Sequence, residues 1–337
     1  MEYGAIDLHL KRSLIRIVDA SGQTVVERSV PTSREGLAQV FGGRAPMRVL
    51  LETGTDSEWV AQAVEACGHA VVVADPNYAL MYGHRSRRIK TDRRDVAALA
   101  EACRLGIYRR AHRVSAAQRQ CRRELRVREQ LIRVRTQAIN LLRAQLRQDG
   151  HRLPSGSVAT VPARYARLAL PAGVQAALAP LVDLLTHLAP RLATAQRETQ
   201  QRAAADPVTR LLMTLPGIGP VTALSYRATV DDVGRFAEAG CVSAFFGLVP
   251  HEDSSAERQH RGRITKAGPS TPRSLLIQAA WVVWRLRPQG ALQRWAHRLA
   301  ERRGRRIAVV ALARRLSRIL YAMWRDQSPY REAALVR

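Results

Sequence analysis

Residues 4–10, GAIDLHL, and residues 47–53, MRVLLET, decide the fold of this 337-residue chain. Each is a short apolar run carrying a carboxylate, Asp7 in the first and Glu52 near the end of the second. A run of this length reads as a buried strand, and a buried strand does not keep an unpaired carboxylate without a reason. Between the two runs, SLIRIVD (13–19) and TVVERSV (24–30) read as further strands separated by charged or glycine-containing turns, so residues 4–30 form a meander. Ser33 then suits the N-cap of a helix that stops near Gly42 and Gly43. After MRVLLET, DSEWVAQAVEACG (56–68) places Trp59, Val60 and Val64 at helical spacing, and HAVVVADP (69–76) is another buried strand. The order is β-β-β-α-β-α-β, with the first strand expected at the sheet centre and the Glu52 strand beside it.

Two further carboxylates open the next helix. In HRSRRIKTDRRDVAALAEACRLG (84–106) the second half is helical from about Asp92, and Asp92 and Asp95, three residues apart, share a face. An aspartate at a helix start is ordinarily a cap, and one in a strand can be an edge residue. Taken together on this topology, Asp7, Glu52, Asp92 and Asp95 converge instead on one point. Four carboxylates can hold two Mg²⁺ ions about 3.5–4 Å apart, which suits transfer of a phosphodiester. His9, two residues after Asp7, reads as structural.

Charge points the same way. The chain has 54 Lys+Arg against 28 Asp+Glu, a formal net charge of +26 and a pI near 11.4. A GC-rich genome explains the preference for arginine over lysine but not the excess of positive charge, which calls for a polyanionic partner. Four cysteines without CxxC spacing (Cys67, Cys103, Cys121, Cys241) argue against a zinc site or a disulfide framework. The opening MEYGAIDLHL does not read as a signal peptide, and no uninterrupted run approaches the roughly 20 apolar residues of a membrane span. A cytoplasmic protein without a membrane partner is expected.

The remainder divides into helical stretches. Residues 115–148 read as one long amphipathic helix and Leu181 to Ala205 as a second, with an interrupted connection over 154–180; together they suggest a coiled-coil-like arm. LPGIGPV (215–221) matches the turn of a helix-hairpin-helix element, in which Gly217 and Gly219 let the backbone approach a phosphate; a plain helix turn is the alternative. Downstream, HEDSSAERQHRGRITKAGPS (251–270) reads as a polar basic loop carrying Ser254 and Ser255, followed by Arg258, His260, Arg261, Arg263 and Lys266. Those cations could hold phosphate oxygens beside a nucleophilic serine, although paired serines in a loop are usually solvated turn residues. A helix from Pro272 to about Leu286 and an arginine-rich helical tail complete the chain.

AIDLH with Asp7, LLETG with Glu52, IKTDRRDVAALA with Asp92 and Asp95, LPGIGPVTA, and FFGLVPHEDSSAERQHRGRITKAG, in this order, resemble the DEDD transposases of insertion-sequence family one hundred and ten. The resemblance implies an RNase H/RuvC-like N-terminal domain over 1–110, a helical arm over 111–205, and a mainly helical serine-bearing domain over 206–337. It implies Mg²⁺ on Asp7, Glu52, Asp92 and Asp95 and a nucleophilic serine five residues after the proline of GLVP. That position is Ser255, followed by Ala256 where the family usually has glycine, which leaves Ser254 as the other choice. It further implies donor and target DNA, a structured bridge RNA as guide, contacts to nucleic acid by Gly217, Gly219, Arg258, Arg261, Arg263 and Lys266, and a dimer or tetramer at the bacterial nucleoid. Two alternatives stand beside it: a RuvC-like nuclease or junction resolvase using water, and a non-catalytic nucleic-acid-binding protein.

Overall fold

The computed structural model describes residues 1–82, 91–255, 258–286 and 290–332, and the side chains of 253–261 and 286 lie outside that description. It divides into two compact units, Met1–Arg113 and Val114–Arg337.

The first unit is built on a five-stranded mixed sheet. Strands β1 (Tyr3–Asp7), β2 (Arg12–Val18) and β3 (Thr24–Pro31) form the meander, helix α1 (Arg34–Phe41) leads to β4 (Arg48–Glu52), and α2 (Ser57–Glu65) leads to β5 (Ala70–Ala74). The strand order is β3-β2-β1-β4-β5, with β1 antiparallel to β2 and parallel to β4, so β1 is central and the Glu52 strand lies beside it, as the sequence reading expects. Ser33 caps α1, its hydroxyl accepting from the Gly36 N–H at 3.1 Å. Alternation along the strands separates two faces. Ile6, Ile15, Ile17 and Leu51 pack with Leu37 and Phe41 of α1 and Val60 and Val64 of α2. On the opposite face Ala5, Leu50 and Val72 pack with Val96, Leu99 and Cys103 of α3 (Asp92–Leu105). Each fully buried aliphatic side chain stabilises this sandwich by about 1.5–3 kcal/mol.

The second unit is mainly helical. Helix α4 (Ala116–Gln148) begins at Ser115, whose side chain accepts from the Gln118 N–H and is itself held by the Asp231 carboxylate at 2.6 Å. After the short α5 (Val161–Tyr165), α6 (Ala172–Ala205) runs antiparallel to α4, since Arg202 pairs with Glu124 and Arg128 donates to Gln196, while Leu142 and Leu146 pack near Leu178. The sequence reading starts this helix at Leu181, whereas it begins nine residues earlier and contains Pro180 and Pro190. Burial of Leu178 against α4 offsets the hydrogen bond that Pro180 removes. By length and composition alone α6 passes as long and apolar enough to cross a membrane, but Asp183, His187 and Arg191 interrupt its apolar run and its Leu178 and Leu185 belong to the cluster shared with α4 and α5.

Helices α7 (Pro207–Leu212), α8 (Pro220–Val230), α9 (Ala239–Phe245), α10 (Ser270–Leu286), α11 (Ala291–Arg303) and α12 (Arg305–Arg325) enclose the largest core, centred on Tyr226, Phe246, Leu276, Leu312 and Leu316. The Tyr226 hydroxyl donates to the Ser317 carbonyl at 2.9 Å, so the buried phenol is satisfied and ties α8 to α12. The stretch expected to be a loop is instead a hairpin of β6 (Pro250–Ser255) and β7 (Arg258–Ile264), registered from Pro250 opposite Ile264 to Ser255 opposite Arg258. Its base is pinned from both sides. Thr265 N–H donates to the Val249 carbonyl at 2.9 Å, and Arg273 reaches the carbonyls of Phe246 and Ala267, each at 3.1 Å. Gly268 has φ +74°, and a Cβ there would stand 2.1 Å from the Phe245 carbonyl oxygen. That approach explains why the FFG and KAG segments come together only through glycine.

Candidate active site

Asp7 ends β1 one step beyond the Ile6–Leu51 pair, which sets it beside Glu52 at the carboxyl ends of neighbouring parallel strands. By alternation both carboxylates take the face of Ala5 and Leu50, the face covered by α3. The first turn of α3 supplies Asp92 and Asp95. Capping does not account for either, because the N-cap is Thr91, whose hydroxyl accepts from the Arg94 N–H at 3.4 Å.

The ligand atoms of Asp7, His9 and Asp92 lie within 4.8 Å of one another. His9 Nε2 stands 3.3 Å from Asp7 Oδ2 and 3.6 Å from Asp92 Oδ2. Asp7 is the most enclosed of the three, its side chain 18% exposed against 51% for His9 and 69% for Asp92. Burial pushes the Asp7 carboxyl above the usual carboxylate range, and the neighbouring charges of Asp92 and Asp95 push it further, while His9 opposes them. Asp95 is thus close enough to act on Asp7. Glu52 is half-buried beside Asp7 and stands outside the tight group. His9, read from sequence as structural, sits between two of the carboxylates. The signal that could have found it is its place two residues after Asp7, but its pairing depends on where α3 delivers Asp92.

The remaining expected residues belong to the second unit. Ser254 and Ser255 lie in β6 and Arg258 and Arg261 in β7, and the side chains of all four fall outside the described residues, as does that of His260. Ala256 and the basic residues 84–90 are also outside them. Arg263 and Lys266 are exposed at the base of the hairpin. In the glycine loop between α7 and α8, Gly217 has φ +84°, and a Cβ there would meet Val283 Cγ2 at 2.7 Å and the Ala279 carbonyl oxygen at 2.9 Å. Packing on α10 therefore already demands a glycine at 217. Gly219 is the N-cap of α8 and is open, with nothing within 4 Å of a Cβ, and no side chain caps that helix.

A cluster of carboxylates, the most enclosed of them half-buried, at the carboxyl end of a central strand in a chain of net charge +26 fits the class of enzymes that work on nucleic-acid phosphates. The DEDD transposase model of the IS110 group, described as a transposase, matches residues 5–149, and the model described as the Transposase IS116/IS110/IS902 family matches 209–295. A probable family 20 transposase of Pseudomonas aeruginosa is 29% identical over 98% of this chain and 99% of its own length. The transposase for insertion sequence element IS1111A of Coxiella burnetii is 31% identical over 72% of this chain and 68% of its own. That for IS1328 of Yersinia enterocolitica is 27% identical over 94% and 95%. The chain belongs to the IS110-type DEDD transposases and is an enzyme of DNA transposition.

Proposed function

We propose that this transposase joins donor and target DNA by serine chemistry assisted by divalent metal, guided by a structured bridge RNA. The observation that carries the reading is the Asp7, His9 and Asp92 group, in which burial and like charge disfavour an ionised Asp7 unless a cation faces it. Hard carboxylate oxygens suit Mg²⁺, and Asp7, Glu52, Asp92 and Asp95 are proposed to hold it, two ions per site, on an RNase H/RuvC-like domain spanning 1–110. Bound there, the cations would polarise the scissile phosphate and stabilise the leaving oxygen.

The Ser255 hydroxyl attacks phosphorus, forming a Ser–O–P bond as one P–O bond of the DNA breaks and the released DNA oxygen takes a proton. In the second step a free DNA hydroxyl attacks the same phosphorus, the serine oxygen leaves and recovers a proton, and the phosphodiester is restored in a new partner. Bond energy is conserved, so no ATP is needed. Arg258, Arg261, Arg263 and Lys266 hold the phosphate oxygens, with Gly217 and Gly219 as a further backbone contact. The region 111–205 serves as an arm for assembly into a dimer or tetramer and for RNA contact, and 206–337 as the serine-bearing domain.

Trapping tests this. Wild type incubated with donor DNA and Mg²⁺ should yield a covalent protein–DNA adduct that is lost in Ser255→Ala and kept in Ser254→Ala. Metal-dependent cleavage surviving Ser255→Ala would favour a RuvC-like nuclease using water. Sequencing of RNA that co-purifies with the protein should return one structured species from the flanking element; random cellular RNA would contradict the guide.

A further inference from the structure

Helices α11 and α12, with Ala239 of α9, line an open cleft of ≈ 580 Å³, within the range of about 300–1,000 Å³ typical of small-molecule sites. Its walls include Ala239, Trp295, Ile319 and three arginines, Arg314, Arg315 and Arg318. Both family matches end before α12, which supplies all three cations. Four residues apart on one helix, Arg314 and Arg318 share a face, and the Arg315 guanidinium lies 4.7 Å from the centre of the Trp295 ring.

Arg314 and Arg315 are half-buried and Arg318 is exposed, and their surroundings differ from those of two half-buried arginines elsewhere. Arg113 is held by Glu58 and Glu65, and Arg122 by the carbonyls of Ala228 and Thr229. Among the described residues no carboxylate lies within ion-pair reach of Arg314, Arg315 or Arg318, and Arg314 Nε is buried without a hydrogen-bond partner. Burial lowers the pKa of Arg315; the nearby Tyr330 opposes this, and Arg318 adds a smaller push downward. The cleft thus combines an aromatic wall with cations that have no carboxylate partner among the described residues. A planar ring joined to a phosphate satisfies both demands, and strand exchange in a transposase exposes such groups.

We propose that the cleft receives one unpaired nucleotide of single-stranded DNA, its base stacked on the Trp295–Arg315 pair and its phosphate held by Arg314 and Arg318. The proposal rests on the transposase reading, and its test is binding alone. Full-length protein is titrated by fluorescence anisotropy with a labelled 12-mer of thymidylate and with an abasic strand of equal length and charge. Stacking predicts about tenfold tighter binding of the thymidylate strand. Trp295→Ala should erase that preference, and Trp295→Phe should keep part of it. Equal binding of the two strands by wild type, or a preference that survives Trp295→Ala, would overturn the proposal. Should both variants unfold, photocrosslinking of wild type with a strand carrying 5-iododeoxyuridine decides the matter. Attachment within residues 291–298 supports the cleft, and attachment only elsewhere refutes it. Displacement of that crosslink by oligouridylate in preference to thymidylate would refute the assignment to DNA. Loss of strand exchange with the base preference intact would count against the serine mechanism and leave the cleft standing.

Discussion

Asp7 is a carboxylate on the central strand, held where its own charge is disfavoured. Because its folded-state pKa lies above the ordinary value, its contribution to metal-free stability is full below the ordinary carboxylate pKa and is lost as pH rises through the raised one. Asp7→Asn should therefore melt higher than wild type at neutral pH without metal, by roughly a few degrees, with the gap closing in acid; differential scanning calorimetry at several pH values would show it. A gap that stays constant with pH would contradict the placement of Asp7. The thiols give a separate check. Burial pushes Cys103 up to about 12 and raises Cys121 as well, whereas Cys241 is exposed. Iodoacetamide should label Cys241 in the native protein and reach Cys103 and Cys121 only on unfolding, as mass spectrometry would record.

Among the elements, α3 and the hairpin bear most directly on the proposed function. Thr91 caps α3 and so sets the turn that presents Asp92 and Asp95. Thr91→Ala should cost about 1 kcal/mol of stability in urea unfolding, and also reduce strand transfer, whereas an uncapping without functional loss would separate this turn from the chemistry. At the hairpin base, Gly268→Ala forces a Cβ onto the Phe245 carbonyl, so loss of the serine–DNA adduct is expected although Gly268 is thirteen residues from Ser255. The strands of the first unit were legible because buried strands announce themselves as apolar runs, and Ser33 as a cap because its chemistry is local. β6 and β7 were not, since PHEDSS and RQHRGRI carry no apolar alternation and are held by backbone pairing and by clamps at Val249 and Arg273. The start of α6 was missed for a related reason: Pro180 reads as a break, and only the burial of Leu178 reveals that the helix continues through it.

Across the whole molecule, a net charge of +26 coexists with a small group of carboxylates at the carboxyl end of the central strand. Phosphate contacts by this many arginines predict DNA binding about 10³-fold weaker at roughly 200 mM than at roughly 50 mM salt, measurable by filter binding; a flat salt response would deny the polyanion role to the charge. The four candidate carboxylates were legible in order along the chain, but that His9 comes within reach of Asp7 and Asp92 depends on the packing of α3 on the sheet, which no local pattern encodes. The central claim is that the Asp7 cluster is the metal-dependent centre of strand exchange. Its most direct test is strand transfer by Asp7→Asn, Glu52→Gln, Asp92→Asn and Asp95→Asn variants, with Mg²⁺ and with a chelator. The account predicts no transfer in the chelator and a fall of at least about 10²-fold in Asp7→Asn and Asp92→Asn at full Mg²⁺, with DNA binding retained. Near wild-type transfer by Asp7→Asn, or transfer that persists in the chelator, would contradict it.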